Sequence, residues 1–378
     1  MKILHTSDLH FGISLCGVPL LKYQWEFCDS LCRLVSDNSI DAVIVSGDVF
    51  DTNVASADAI KCWSYLATKL CLEMKTPVVV CAGNHDGAAR LASCADLLKA
   101  AGLHISGTLE DAFVPIKVGN CEIYSLPYYN TADAAAVLDC KADAGAVMAE
   151  VAKRILDGAD KSKKLILSAH CFAAGGKAAE SDVSARTAES VGGADLVPCS
   201  AFEGFDYVAL GHLHRPQTLS FQGTIIRYSG TPMPYSFGEA QQNKTVSVFD
   251  TDSGTVTELE VPQPYKLRNI EGTYEEVLRN GESDPDSEDF VKIKITDKYA
   301  GNTIFSQLRR IYPNLLMFSG KQSRAESQSG ITAAETAELD PGALAVKFAA
   351  DHLGRELDED EMRWLEEAIA EIDGDDKL

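Results

Sequence analysis

No apolar run in these 378 residues approaches the roughly 18 uninterrupted residues of a membrane span. The opening MKILHTSD turns polar after four residues, so the apolar core of a secretory leader is missing. The eleven cysteines contain no CxxC pair; an odd, scattered set argues against a disulfide framework and for a reducing compartment. Cys81, inside PVVVCAGN, reads as a small core residue. A G-x-x-x-x-G-K-[ST] loop is absent, so ATP hydrolysis is not expected of this chain. Positive charge is scarce too: 34 Lys and Arg stand against 56 Asp and Glu, a net −22. Such a chain is repelled by nucleic acid unless local bases, metals or a partner supply the attraction. These absences point to a cytoplasmic globular protein.

A hydrophobic content of 46% suits a folded chain, and the length suits a large domain with smaller additions. One pattern recurs in the first part. A short apolar run ends in a polar loop, and a helical segment follows. KIL leads to HTSDLHFG, DAVIV to SGDVFD, PVVVCA to GNHDG, KLILS to AHCF, and YVAL to GHLH. Helices are predicted over Leu20–Val35 and Ser56–Leu72. The region 55–74 is apolar enough to face either a sheet or a second copy. Buried strands alternating with helices predict an α/β domain, and ligands collect at the carboxyl ends of such strands.

The five polar loops carry Asp8 and His10, Asp48 and Asp51, Asn84 and His85, His170, and His212 with His214. Each signal is weak alone. Together they supply, at every strand end, the ligand types that suit Mn²⁺, Fe²⁺ or Zn²⁺. In ALGHLH, an extended chain would send His212 and His214 to one side and Leu213 to the other. A site for two metals is expected. Paired cations roughly 3.5–4 Å apart lower the pKa of a shared water and clamp the oxygens of a phosphoryl group.

The order D-x-H, GDxxD, GNHD, H, GHxH resembles that of the calcineurin-like metallophosphoesterases. The resemblance implies a two-sheet sandwich flanked by helices. It also implies that Asp48 bridges the metals, that Asp8, His10 and His214 complete one site, and that Asn84, His170 and His212 complete the other. His85 would be the catalytic acid or transition-state stabiliser, with Asp51 orienting it; a plain loop cap is the other reading of Asp51. GDVFDTN lacks the arginine, and GNHDG the glutamate, of the protein phosphatase branch. MKILHTSDLHFG, AVIVSGDVFDT, GFDYVALGHLHRPQ and RYSGTPMPYSFGEA resemble the SbcD family of bacterial nuclease subunits over nearly the whole chain. This chain departs from that family at Cys171, where Gln is often found, and at Leu9, where Trp is common.

The second resemblance implies a Mn²⁺-dependent 3′→5′ exonuclease on duplex ends and an endonuclease on single strands and hairpins. It implies DNA, an SbcC-like coiled-coil ATPase and a homodimer within a heterotetramer as partners. Such a partner eases the charge conflict. Arg90, Lys177, Arg186, Arg215 and Arg227 lie near the loops in sequence, and surface solubility explains each of them equally well. A stand-alone phosphodiesterase for a small nucleotide is the alternative, and an idle DNA-end tether the third reading.

The catalytic domain is expected over 1–262. Its segment Ile225–Val261 reads as strands that complete a second sheet. A small α+β capping domain is expected over 263–320: strand YKLRNI, a helix capped by Thr273 and Glu276, strand FVKIKIT, helix NTIFSQLRRIY, strand NLLMF. A polar linker over 321–338 follows. Helices over 339–378 come last, one starting at Asp340–Pro341 and one at Asp358 with Glu361, and these either pack on their own domain or dock a partner.

Overall fold

Strand β1 (Lys2–Thr6) is buried from Ile3 onward, yet Ile3 and Leu4 belong to different cores. The split repeats in β2 (Ala42–Ser46), where Ile44 faces one core and Val43 and Val45 the other, and in β3 (Val78–Cys81) with Val79 against Val78 and Val80. A strand buried on both faces must lie between two layers. The first sheet continues to β4 (Leu103–Ser106) by parallel pairing throughout. The second sheet holds β5 (Ile116–Val118), β6 (Cys121–Leu126), β7 (Lys164–His170), β8 (Tyr207–Gly211), β9 (Gln217–Phe221) and β10 (Thr224–Tyr228), in the order β9-β10-β8-β7-β6-β5.

The chain then returns to the first sheet with β11 (Thr245–Asp250), antiparallel to β1, and β12 (Thr255–Glu260). The segment Ile225–Val261 is therefore shared between sheets rather than completing one: β10 extends the second, β11 and β12 the first. The first sheet's order is β12-β11-β1-β2-β3-β4.

Ile3, Ile44, Val79, Ile123, Ile166, Tyr207 and Phe249 fill the layer between the sheets. Helices α1 (Leu21–Asp37) and α2 (Ala57–Thr68) cover the first sheet's outer face through Phe27, Leu31, Cys62 and Leu66. Ser56 caps α2, its hydroxyl accepting the Ala59 N–H at 3.2 Å. Most of the apolar face of this region is thus spent on the sheet, leaving Ile60 and Leu72 about half exposed. Helices α3 (Thr131–Leu138) and α4 (Ala144–Gly158), capped by Asn130 and Asp143, cover the second sheet. Parallel pairing of β1 with β2, of β2 with β3, and of β7 with β8 sets the carboxyl ends of neighbouring strands side by side in each sheet.

Next come β13 (Leu267–Gly272), α5 (Tyr274–Gly281), β14 (Phe290–Tyr299), α6 (Thr303–Ile311) and β15 (Leu315–Gln322), with sheet order β13-β14-β15. The predicted reciprocal cap of Thr273 and Glu276 starts α5. Tyr265, Leu267 and Phe290 pack into the core beneath α1, where Tyr23 meets the Tyr265 ring at 4.8 Å.

The computed structural model describes residues 1–175, 196–299 and 303–322, together with Val346, Asp358 and Glu361–Arg363. The chain divides into two compact units, Met1–Thr296 with Thr303–Ser319, and Asp297–Asn302 with Gly320–Leu378. In the second, Asp358 Oδ1 accepts the Glu361 N–H at 2.9 Å and Glu361 Oε2 accepts the Asp358 N–H at 3.0 Å, the predicted capping box. Most of the expected linker and terminal helices, with Lys177 and Arg186, lies outside the described residues. All eleven cysteines are free, and no described helix is long and apolar enough to cross a membrane.

Candidate metal centre

Beyond the ends of β1 and β2 the two chain segments stay paired. Asp8, His10 and Phe11 donate their N–H groups to the carbonyls of Gly47, Asp48 and Val49 at 3.0, 2.9 and 2.9 Å. Within this run Asp8, His10 and Asp48 have φ of 53°, 44° and 50°. Left-handed backbone at a residue with a Cβ costs of order 1–3 kcal/mol, so the surrounding pairing must hold it. The turn of backbone aims Asp8, His10 and Asp48 at one point.

His212 follows the last residue of β8 and has φ 96°. The expected extended alternation therefore does not apply to ALGHLH. The bend itself sends His212 and His214 to the rim, while Leu213 is fully buried in the second sheet's core. Gly211 precedes the bend because a Cβ there would collide with the Ser46 carbonyl.

The ligand-type atoms of Asp8, His10 and His214 lie within 4.8 Å of one another, and so do those of Asp8, Asp48 and His170. Asp48 Oδ2 stands between the groups, 3.4 Å from His170 Nε2 and 3.7 Å from His10 Nε2. Asn84 Oδ1 is 2.9 Å from His170 Nε2 and 3.1 Å from His212 Nδ1. All seven residues expected as ligands thus converge, five of them buried. His10 Nε2 and His214 Nε2 face each other at 3.3 Å, where a single proton at most fits between them. Crowded imidazole nitrogens beside two carboxylates and an amide oxygen form a donor set that fits two borderline divalent cations.

Backbone carbonyls fix the tautomers. The Ser46 carbonyl can only accept, so His170 Nδ1 at 2.9 Å carries the proton and Nε2 is left for a cation. The Asp51 carbonyl does the same for His85, again at 2.9 Å from Nδ1, leaving Nε2 as the other nitrogen of a half-buried ring. The link between Asp51 and His85 therefore runs through the main chain. The Asp51 carboxylate faces His10 Nδ1 instead, at 3.4 Å. The His85 N–H donates to Asp48 Oδ1 at 2.9 Å, tying the third loop to the second.

Burial pushes the Asp8 carboxyl above the usual carboxylate range, with the neighbouring Asp48 adding to the effect. Burial works the same way on Asp48, but the His170, His10 and His85 charges outweigh it and hold Asp48 well below that range. His170, with burial opposed by Asp48 and Asp8, rises to about 9. Burial, then the His170 charge, takes His212 down to about 3. His10 is raised as well, its burial outweighed by Asp51, Asp48 and Asp8.

Three contributors carried no assigned role in the sequence. Asp86, last of GNHD, accepts the N–H groups of Gly83, Val49 and Phe50 at 2.9, 3.1 and 2.9 Å. Gln24, a polar residue on the buried stripe of α1, donates to the Leu9 and His10 carbonyls at 3.0 and 2.8 Å. Tyr235 donates to the Leu9 carbonyl at 2.6 Å. A buried-face glutamine four residues before Cys28 was the available signal for Gln24; nothing local marked the others. Arg227 is buried rather than a surface base, bound to Ser247, Thr218 and Glu258.

The calcineurin-like phosphoesterase family matches residues 1–216, and the family described as type 5 capsule protein repressor C-terminal domain matches 263–352. The SbcD subunit of nuclease SbcCD from Staphylococcus epidermidis is 30% identical over 324 residues, 84% of this chain and 85% of that one. Its counterpart of the same name from Staphylococcus saprophyticus is 27% identical over 378 residues, 98% of both chains. Among solved structures, TT1561 of Thermus thermophilus overlaps 69% of this chain and 99% of its own, at 13% identity and TM-score 0.42. With its seven-residue cluster at the ends of five strands, the chain belongs to the calcineurin-like phosphoesterases, among relatives named as the SbcD subunit of nuclease SbcCD.

Proposed function

We propose that the chain is the metal-dependent DNA nuclease subunit of a two-component complex, a 3′→5′ exonuclease on duplex ends and an endonuclease on single strands and hairpins. The observation that carries this is the convergence of Asp8, His10, Asp48, Asn84, His170, His212 and His214 around Asp48. Asp8, His10 and His214 would hold one cation, Asn84, His170 and His212 the other, and Asp48 both; Mn²⁺ is the metal proposed. Bound, the two cations supply charge that activates water and neutralises the phosphodiester.

The chain's own residues do the rest. Asn84 brings no charge, so the loaded site stays positive toward an anionic substrate. His85, with its Nδ1–H held on the Asp51 carbonyl, presents Nε2 to the leaving oxygen and, when the ring carries a proton on both nitrogens, gives it the Nε2 proton and keeps the one on Nδ1. Asp51 keeps the ring's orientation by its main chain and steadies His10 by its carboxylate.

The reading extends to an SbcC-like ATPase partner, a homodimer within a heterotetramer, the cytoplasm, and DNA repair, recombination and replication. It also divides the chain into a catalytic domain over 1–262, a capping domain over 263–320, a linker over 321–338 and docking helices over 339–378. The match of 263–352 to a second family supports this over a minimal small-ester phosphodiesterase, which has no need of such a region. The test is cleavage of duplex DNA, hairpin DNA and a simple phosphodiester with Mn²⁺, with and without the coiled-coil ATPase. Turnover of the ester with no DNA cleavage, even with the ATPase present, overturns the proposal.

A further inference from the structure

The segment between β10 and β11 contributes no expected ligand, yet it holds a fully buried ion pair. Glu239 is 0% exposed and Lys244 2%. Lys244 Nζ donates to Glu239 Oε2 at 2.5 Å, Thr231 Oγ1 at 2.7 Å and Gln242 Oε1 at 3.2 Å, and reaches the His214 carbonyl at 3.4 Å. Thr231 donates its hydroxyl to Glu239 Oε2 at 3.0 Å and its N–H to the His214 carbonyl at 3.1 Å. Glu239 Oε1 accepts from Ser236 at 3.0 Å.

The other end of the same segment reaches the opposite side of the site. Ser229 Oγ lies 3.0 Å from Ser7 Oγ, and Ser7 donates to Asp8 Oδ2. Between Ser229 and Thr231, Gly230 has φ 74° and packs so closely on His214 and Pro216 that a Cβ would meet the His214 carbonyl at 2.7 Å. Residues 229–231 therefore span from Asp8 to His214, the two residues grouped with His10. No comparable contact from this segment reaches His170, His212 or Asn84 among the described residues.

Burying a full charge pair is expensive unless its remaining hydrogen bonds are satisfied. An apolar pair of equal volume would serve packing alone. What the ion pair adds is directional: one ammonium orders Thr231 and the His214 main chain together. We propose that Glu239 and Lys244 are positioning residues for one of the two cations, the one held by Asp8, His10 and His214, and leave the other cation's affinity unaffected. This rests on the two-cation reading above.

The test is Mn²⁺ binding by calorimetry, with the manganese resonance signal as a second readout. Wild type should bind two Mn²⁺; if it binds none, the two-cation reading fails first and is distinguished from failure here. Lys244→Met should weaken one Mn²⁺ site by about tenfold or more, in the range typical of residues behind a ligand, and leave the other at wild-type affinity. Lys244→Arg, which keeps the charge, should restore part of the loss. If Lys244→Met does not fold, Thr231→Val, which removes the shared hydroxyl, should give a smaller loss confined to the same site. Equal weakening of both sites, or two wild-type affinities in a folded variant, overturns the inference.

Discussion

The two sheets contribute unlike chemistry to one rim. Loops of the first sheet bring both central carboxylates, Asp8 and Asp48, with His10, Asn84 and His85. Strand ends and loops of the second bring imidazoles alone, His170, His212 and His214. The first sheet's loops are tied largely to one another: three of their residues are left-handed, and Asp86 and the β1–β2 pairing hold them, with Gln24 and Tyr235 adding bonds to the Leu9 and His10 carbonyls. The second sheet's histidines are locked from outside, His170 by the Ser46 carbonyl of the first sheet, His212 by its N–H on Asp8 at 3.0 Å, His214 by the segment that ends at Lys244. Negative charge sits on the left-handed loops of the first sheet, and the imidazoles of the second close over it.

The contrast breaks most completely at Asp48. Asp48→Ala should lose both cations and all cleavage, whereas His212→Gln should lose only one; metal analysis of dialysed protein counts them, and one cation retained by Asp48→Ala would refute a shared ligand. Next comes His85→Gln, which should cut turnover by about 10²–10⁴-fold with both cations still bound. Loss of metal in that variant would move His85 into the ligand set. Third, Asp86→Ala strands three backbone N–H groups, and since each unsatisfied donor costs about 1–3 kcal/mol, the fold should lose roughly 3 kcal/mol or more. Denaturant melts measure it, and an unchanged midpoint would show that the first sheet's loops do not depend on Asp86.

The smallest effect is in pH. His170 is raised to about 9 in the cation-free site, above its ordinary 6.5. Its proton therefore stabilises the cation-free fold fully below 6.5, and that contribution fades as pH rises through about 9. A cation must displace the same proton, so Mn²⁺ affinity should rise across this window, with proton release visible as a buffer-dependent heat. Buffer-independent heats would put His170 in its neutral form before binding.

What the sequence made legible is what neighbours in the chain decide. Asp8, His10, Asp48, Asn84, His170, His212 and His214 were each visible because ligand-type residues end apolar runs, and the caps at Thr273 and Asp358 follow a local spacing rule. What stayed hidden is set by contacts across long stretches of chain or by backbone sign. Nothing near Lys244 announces that it will reach His214, nor near Ser7 that it will meet Ser229. The left-handed turn at His212 replaced the alternation its spacing suggested, because the parallel neighbours β7 and β8 end in glycine-permitted close contact with Ser46. Likewise the partition of β10, β11 and β12 between sheets follows from pairing with β8 and β1, which their own residues do not encode.

Asp8 and His212 are 204 residues apart, and the support behind His214 arrives only at Lys244. The centre therefore has no local precursor. During synthesis, both carboxylates leave the ribosome long before the second sheet's imidazoles that must cover them. A half-made or partly unfolded chain holds two carboxylates in water and no closed pair of cation sites. For a protein proposed to cut DNA, that order of assembly is a safeguard: the blade forms last, when the whole fold is already there to aim it.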